Sequence, residues 1–304
     1  MTTAPMMPAC KPTVNAVGIG SSAWLGRIVC GDNTEVLSGF PDACIDLVVT
    51  SPPYDDILEY GGHSWDFSTL SEQLVRVMKP GGVIVWNVAD STVDGSETGT
   101  SMEQTLGFKR LGMKIHDTMI YEKAGMSKAS TNRYHQTWEY MFVLSKGAPP
   151  KTFNALKDRK NKYVGTLGGN AVGGKATREE YGMRFNVWRY ANGKNHNARW
   201  DDAAREHPAI MPHQLAKDHI TSWSNPGDVV LDPFCGSGTT CRAAKDLNRE
   251  WVGVEVNPDY CRIAETCLSQ SVLQLETCAM RPNAKLCNSP EAARSRSEKG
   301  TGSK

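Results

Sequence analysis

The segment 229–255 constrains the fold more than any other part of the chain. Val229–Leu231 is a short run of branched apolar residues, typical of a strand buried on both faces of a parallel sheet. A turn with two glycines, Gly236 and Gly238, follows, and then come a helical pattern and a second apolar run, Trp251–Val254. Strand, tight turn and helix in this order are the repeating unit of an α/β protein, so we predict an α/β fold.

Other parts of the chain repeat this alternation of apolar runs and helical spacings. The further predicted strands are Arg27–Cys30, Ile45–Thr50, Val83–Val88, Thr118–Tyr121 and Tyr140–Leu144. The predicted helices cover 70–78, Thr105–Met113 and Ile210–Trp223. Two more are predicted, one that begins near Gly238–Thr240 and ends at about Leu247, and one from Pro258 to about Leu275. The prolines and glycines of Lys79–Gly82 should end the first of these helices.

Composition excludes several classes of protein. No apolar run approaches the roughly 20 residues that a transmembrane helix needs. The N-terminus lacks the basic and apolar regions of a secretory signal, so we expect a soluble, cytoplasmic protein with no membrane partner. The nine cysteines form no CxxC pair, so we expect no metal site and mostly reduced core cysteines.

Residues 151–205 stand out from a chain whose net charge is only +1. They hold twelve Lys or Arg against five Asp or Glu, with aromatics such as Tyr163 and Tyr181 interleaved. A solvated, flexible surface insert would have this composition, and so would a surface that contacts phosphates and stacks on bases. The candidate nucleic-acid contacts are Lys157, Arg159, Lys160, Lys162, Lys175 and Arg178.

The glycine turn after Val229–Leu231 has the chemistry of a ligand cradle, although it could simply join strand to helix. The glycines let the backbone approach a ligand, and the following helix offers free N–H groups to an anion. Glu255 ends the next strand, 19 residues after Gly236, near the spacing of an acid that binds ribose hydroxyls. Without a lysine after the turn or a GxGxxG, a nucleoside lacking a polyphosphate fits best, and S-adenosylmethionine meets that description. The candidate cofactor-binding residues here are Asp232, Pro233, Phe234, Cys235, Gly236, Ser237, Gly238, Thr239, Thr240, Glu255 and Asn257.

A second motif, TSPPY at Thr50–Tyr54, follows another buried strand. Alone it could be a turn that ends a strand, but its two prolines hold the backbone extended and leave carbonyls available. These carbonyls and the Ser51 hydroxyl can accept hydrogen bonds from an exocyclic amine, and Tyr54 can stack on a planar base. Such bonds favour a pyramidal nitrogen that can attack a methyl group. The candidate catalytic residues are Ser51, Pro52, Pro53 and Tyr54.

With both motifs in view, the chain resembles the β class of DNA amino-methyltransferases, which methylate N4 of cytosine or N6 of adenine. In that class the SPPY or DPPY motif precedes the cofactor motif, as Ser51–Tyr54 precedes Asp232–Thr240 here. The target-recognition region lies between them, where this chain has its basic segment. His207–Pro212, HPAIMP, is similar to the HPAxFP segment of the class, with Met211 in place of Phe, and Lys79–Gly82 is also similar to a family feature. The resemblance covers about 17–150 and 186–275.

The resemblance implies a Rossmann-like, S-adenosylmethionine-dependent methyltransferase fold with a mostly parallel sheet flanked by helices and an inserted target-recognition region. It divides the chain into a catalytic half 17–150, the insert 151–205 and a cofactor-binding half 206–279. We expect a flexible N-terminus 1–16, and a disordered tail 280–304 because that stretch is rich in Ser, Lys and Arg with little apolar content. Asp32 would lie near the cofactor adenine, and Pro212 would belong to the cofactor site. The implied partner is double-stranded DNA, with the target base flipped out of the duplex. A cognate restriction endonuclease is a further implied partner that one chain does not identify.

Within the class, Ser51 favours cytosine N4, because SPPY mostly accompanies cytosine and DPPY adenine; adenine N6 is the alternative. Methylation at cytosine C5 is disfavoured, since the nearest cysteine, Cys235, lies inside the cofactor turn. A nucleotide-dependent oxidoreductase would leave TSPPY and the basic segment unexplained. An inactive DNA-binding protein is disfavoured by the intact Ser51–Tyr54 and Asp232. Methyltransferases that act on RNA or protein share the fold and are separated only by substrate testing.

Overall fold

The computed structural model describes residues 23–53, 65–124, 132–167, 176–191 and 211–269, all within a unit that spans Met1–Gln270. The strands are β1 (Arg27–Cys30), β2 (Ile45–Thr50), β3 (Met78–Val88), β4 (Thr92–Val93), β5 (Ser96–Glu97), β6 (Met113–Ala124), β7 (Trp138–Lys146), β8 (Arg159–Lys160), β9 (Gly165–Leu167), β10 (Ala176–Arg178), β11 (Tyr181–Gly182), β12 (Val187–Ala191), β13 (Val229–Asp232) and β14 (Glu250–Glu255). The helices are α1 (Asn33–Ser38), α2 (Phe67–Val77), α3 (Thr100–Arg110), α4 (His213–Trp223), α5 (Thr239–Asp246) and α6 (Pro258–Ser269). The predicted N-terminal segment 1–16 and tail 280–304 lie outside the described residues, as do Tyr54 and Lys175.

The central sheet has eight strands in the order β1-β14-β13-β2-β3-β7-β6-β12. Its pairings are parallel except for those of β7, which runs antiparallel to both β3 and β6. The prediction of a mostly parallel sheet flanked by helices is confirmed. None of the helices in the described ranges is long and apolar enough to cross a bilayer.

Successive side chains of the strands pack on opposite faces of the sheet, as the pleat requires. Ile84 of β3 packs in a buried cluster with Leu74 of α2 and Phe108 of α3, on what we call the α1–α3 face. Its neighbour Val85 packs with Leu215 of α4 on the other side, the α4–α6 face. Burial on both faces explains why the central strands read as nearly continuous apolar runs.

The order of the strands creates a topological switch point between β2 and β13. From β2 the chain continues through α2 to β3 on one side, whereas from β13 it continues through α5 to β14 on the other. The two strands are parallel neighbours, with Val230 opposite Leu47 and Leu231 opposite Val48. Ligands of open α/β sheets bind at such a switch point, outside the carboxyl ends of the strands.

The structure corrects the bounds of several predicted elements. α3 begins at Thr100 and not at Thr105, because the Asp90 carboxylate caps it, accepting the Ser101 N–H at 2.8 Å and the Ser101 hydroxyl at 2.7 Å. β3 begins at Met78, so Lys79–Gly82 belong to the strand, and α2 ends just before them. β6 and β7 are longer at both ends than predicted. The described part of the last helix ends at Ser269, and the predicted start of α4 at Ile210 lies outside the described residues.

The basic segment 151–205 contains two kinds of structure. Two small antiparallel sheets, β8 with β11 and β9 with β10, lie outside the central sheet. β12, by contrast, pairs in parallel with β6 and forms the edge of the central sheet. Val187–Ala191 therefore belongs to the core of the fold, although the sequence assigned it to the insert.

Candidate active site

Two loops that the sequence singles out meet where β2 and β13 lie side by side. Thr50, the last residue of β2, donates its hydroxyl to Asp232 Oδ1 at 2.7 Å, and the Phe234 N–H donates to the same oxygen at 3.1 Å. Asp232 is 4% exposed, and its burial raises the pKa of the carboxyl to about 6. These bonds tie the strand that leads into Ser51–Pro53 to the glycine turn. Sequence reasoning missed Thr50.

Glu255 stands at the same edge, at the end of β14. Its Oε2 accepts the Gly236 N–H at 3.0 Å and its Oε1 accepts the Asn257 N–H at 2.9 Å. Burial raises the pKa of Glu255, and these backbone bonds oppose the rise. The carboxylate is thus oriented by the turn on one side and by the start of α6 on the other.

Two glycines let the turn fold back over the strand ends. Gly236 has φ +49° and Gly238 has φ +81°, backbone conformations that residues other than glycine rarely adopt. A Cβ on Gly238 would lie 3.0 Å from the Ala264 Cβ of α6, so the turn packs closely on that helix. Gly238 is also the N-cap of α5, and among the described residues no side chain accepts from the first N–H groups of this helix. The first N–H groups of α5 are therefore left for a ligand.

The remaining turn residues pack into the protein. The Cys235 N–H donates to the Val254 carbonyl at 2.9 Å, and the Pro233 carbonyl accepts from Asn33 Nδ2 at 3.3 Å. The Phe234 ring meets Trp65 edge-on, with centroids 5.0 Å apart. Ser237, Thr239 and Thr240 are buried at the start of α5.

Three outlying candidates lie at the starts of helices. Asp32 Oδ1 accepts the N–H groups of Thr34 and Glu35 at 2.9 and 3.0 Å at the start of α1. Asn257 Oδ1 accepts the Asp259 N–H at 2.8 Å beside α6, and Pro212 is the N-cap of α4. The N–H of Gly31 donates to the Glu255 carbonyl at 2.9 Å, which brings the Asp32 loop beside Glu255.

These groups fit the cofactor that the sequence indicates. A carboxylate offers about four lone pairs, and the two backbone donors on Glu255 leave room for ribose hydroxyls. The uncapped start of α5 suits a carboxylate, and the close-packed glycine turn leaves no side chain in the way. Within the described residues, no cluster of three or more His, Cys, Asp or Glu is arranged to hold a metal ion.

Ser51 begins the segment after β2 and contacts a polar residue of the next strand. Asn87 Nδ2 of β3 faces the Ser51 Oγ at 3.5 Å and donates to Glu139 Oε2 of β7 at 2.7 Å. Pro52 is buried and Pro53 half-buried, while Tyr54 lies outside the described residues. Sequence reasoning missed Asn87 and Glu139, although a polar residue inside the apolar run Val83–Val88 was a signal.

The cations of the basic segment differ in how they are engaged. Lys157 pairs with Glu179 at 3.0 Å, and Arg159 donates to the Met183 carbonyl at 2.9 Å while its guanidinium lies over the Phe185 ring. A second set is exposed on or beside the two small sheets and comprises Lys160, Lys162 and Arg178. Lys157 is itself exposed, so what distinguishes Lys157 and Arg159 from the second set is a hydrogen-bonding partner within the segment.

Comparisons with known proteins agree with this arrangement. The model of the N6/N4 DNA methylase family matches residues 45–266. The chain is 49% identical over 244 residues to the orphan methyltransferase M.BamHII of Bacillus amyloliquefaciens, covering 76% of this chain and 91% of that protein.

Solved structures share the fold. The cytosine-N4-specific PvuII DNA methyltransferase matches with a TM-score of 0.61 and 20% identity, covering 81% of this chain and 87% of that one. The M1.HpyAVI–SAM complex matches with a TM-score of 0.54 and 20% identity, covering 79% of this chain and 97% of that one.

Proposed function

The chain belongs to the N6/N4 family of DNA methylases and is a DNA methyltransferase, and we propose that it methylates the N4 amine of cytosine in double-stranded DNA. The methyl donor is S-adenosylmethionine, which supplies an electrophilic methyl group on a sulfonium centre. The observation that carries the proposal is the 2.7 Å bond between Thr50 and Asp232. It joins the residue before Ser51 directly to the cofactor turn, so a base held at Ser51 would lie beside the cofactor.

On the cofactor side, Glu255 would accept hydrogen bonds from the ribose hydroxyls. The free N–H groups at the start of α5 would face the carboxylate of the methionine part. Both groups are oriented before any ligand arrives, since Gly236 and Asn257 already hold the Glu255 carboxylate. Preorganisation of this kind reduces the entropy that binding would otherwise cost.

On the substrate side, the target cytosine must leave the duplex, at a cost of a few kcal/mol for unstacking. The Ser51 hydroxyl would accept one N–H of the amine, a carbonyl of Pro52 or Pro53 the other, and Tyr54 would stack on the base. Two fixed acceptors favour a pyramidal nitrogen whose lone pair points at the methyl group. As the new N–C bond forms, the S–CH3 bond of the donor would break and leave a neutral thioether, and the methylated amine would then release one proton to water.

Ser51 supports cytosine as the target, because the SPPY form of the motif mostly accompanies N4 methylation in the class that the chain resembles. The exposed cations Lys160, Lys162 and Arg178 would contact phosphates beside the flipped base.

Nucleoside mass spectrometry of duplex DNA treated with the purified protein and S-adenosylmethionine tests the proposal, and we expect N4-methylcytosine. Ser51→Ala should lower kcat about tenfold or more, with the affinities for DNA and cofactor within about threefold, because its hydrogen bond strengthens as the nitrogen becomes pyramidal. Ser96→Ala, the same change in the exposed β4–β5 hairpin, is the control and should match wild type. N6-methyladenine as the only product would overturn the assignment of cytosine.

A further inference from the structure

A chain of polar side chains crosses the α4–α6 face of the sheet and ends at Ser51. Lys123 Nζ of β6 lies 2.5 Å from Glu139 Oε1 of β7, and Asn87 Nδ2 of β3 donates to Glu139 Oε2 at 2.7 Å. The same Nδ2 faces the Ser51 Oγ at 3.5 Å. We call Lys123, Glu139 and Asn87 the relay.

The strand register explains why these residues meet. Asn87 lies opposite Met141 in β7, so it is diagonal to Glu139. Glu139 in turn lies opposite Tyr121 in β6, so it is diagonal to Lys123 on its other side. All three share the α4–α6 face by the alternation of side chains along each strand. β2, β3, β7 and β6 are consecutive neighbours in the sheet; β3, β7 and β6 each contribute one member of the line, and Ser51 directly follows β2.

Stability alone does not account for a buried carboxylate in this place, whose partner Lys123 keeps 32% of its side chain exposed. Glu139 is 7% exposed and Asn87 4% exposed. Burying a carboxylate costs several kcal/mol, and well-packed apolar residues often replace a buried ion pair without loss of stability. The relay is placed at the carboxyl edge of the sheet, beside the segment that holds the reacting amine in the proposed function.

The charge of Glu139 determines which way the Asn87 amide points. An ionised carboxylate only accepts hydrogen bonds, so it binds the amide nitrogen and repels the amide oxygen. Lys123 pairs with one carboxylate oxygen, and the other accepts from Asn87. The amide nitrogen is therefore turned towards both Glu139 and Ser51. An amide is not a base, so the relay orients groups and removes no proton.

We propose that Glu139 is a positioning residue for methyl transfer, which acts through Asn87 to fix the Ser51 hydroxyl oxygen as an acceptor for the target amine. A hydroxyl oxygen has two lone pairs. The Asn87 N–H donates to this oxygen and so orients it to accept an N–H of the target amine as well. This inference rests on the proposed role of Ser51.

Glu139→Gln tests the relay with almost no change in shape. Lys123 would attract the new amide oxygen, the new NH2 group would face Asn87, and Asn87 would turn its oxygen to Ser51. We expect kcat to fall about tenfold or more, with S-adenosylmethionine affinity by calorimetry and KM for DNA within about threefold. Glu122→Gln, the same change at the half-buried residue that precedes Lys123 and pairs with Arg189, is the control and should keep wild-type kcat.

The double variant K123M/E139Q separates positioning from damage to the fold. Without Lys123, the Gln oxygen can turn back to accept from Asn87, so kcat should recover to within about threefold of wild type. Damage to packing would instead accumulate, and the double variant would be no better than E139Q. The double variant also serves alone if E139Q does not fold, since it buries no unpaired charge.

Two results overturn the inference: kcat of folded E139Q within twofold of wild type, or kcat of the double variant below a tenth of wild type. Failure of the proposed function looks different, because wild-type protein would then yield no N4-methylcytosine. In that case methyl transfer to whichever base wild type modifies remains the readout for the relay.

Discussion

Asp232 shows how one residue can serve a site at some cost to the fold. Its carboxylate links Thr50 to the cofactor turn, yet its burial disfavours the charged form. The pKa of Asp232 is about 6 in the folded protein, against an ordinary value of 3.8. Between these two pH values the carboxyl is therefore protonated in the folded protein and ionised in the unfolded chain. Stability therefore falls as pH rises from about 4 to about 6, and the loss is complete above that range.

Asp232→Asn should remove this dependence. The difference between the folded and the unfolded pKa corresponds to about 3 kcal/mol. Between pH 4 and pH 7, the free energy of unfolding of wild type should therefore fall by about this amount relative to that of the variant. Urea unfolding of both proteins across this range measures the difference. Asp94→Asn, the same change in an exposed turn, is the control. Parallel curves for Asp232→Asn and wild type would contradict the raised pKa.

At the scale of elements, the two small sheets of the basic segment form a surface of their own. Lys160 lies on β8 opposite Tyr181, Arg178 lies on β10, and Lys162 lies over the Tyr163 ring at 5.5 Å. Cations next to exposed aromatic rings suit contact with phosphates and bases. Lys157 and Arg159, which the sequence ranked equally with these, already hold partners within the segment.

We predict that Lys160, Lys162 and Arg178 account for much of the salt dependence of DNA binding. Each cation that contacts a phosphate adds about 0.9 to the slope of log affinity against log salt concentration. Replacing each with Gln, singly and together, should lower the slope stepwise in fluorescence anisotropy titrations. Lys109→Gln on α3 is the matched control, since it is exposed on the other face of the sheet. An unchanged slope in the triple variant would place the DNA elsewhere.

At the scale of the whole molecule, Arg184 joins the basic segment to the core. Its guanidinium pairs with Asp158, donates to Asp218 Oδ2 of α4 at 2.6 Å and to the Tyr190 hydroxyl at 2.8 Å, and lies over the Trp188 ring. Asp218 is 7% exposed, so it depends on these partners. The segment is thus attached to α4, the helix that begins directly after Pro212.

Arg184→Gln should lower the free energy of unfolding by about 2–3 kcal/mol, because it leaves the Asp218 carboxylate without its charged partner. Hydrogen exchange should accelerate most in residues 158–190. Arg189→Gln is the control: Arg189 is exposed and its 3.8 Å pair with Glu122 is worth less than about 1 kcal/mol. Equal losses in the two variants would show that Arg184 does not anchor the segment.

Local patterns were enough to predict much of this molecule. The strands Arg27–Cys30 and Ile45–Thr50 occur as predicted, and so does the strand, glycine turn and helix at 229–246. Errors arose where a residue or strand outside a segment determines where that segment's helix or strand begins. The start of α3 depends on Asp90, which lies in the preceding loop, and β12 joins the sheet only because β6 offers it a free edge.

The sequence by itself determined the fold class, the family resemblance and the two motifs, because these depend on hydrophobic periodicity and on residue types at short spacing. Only the tertiary structure decided that Thr50 bonds to Asp232, 182 residues away, and that Asn87 joins Glu139 to Ser51. Such contacts follow from the order and register of strands in the sheet. That order is set by burying two apolar faces at once, which no single segment of the chain encodes.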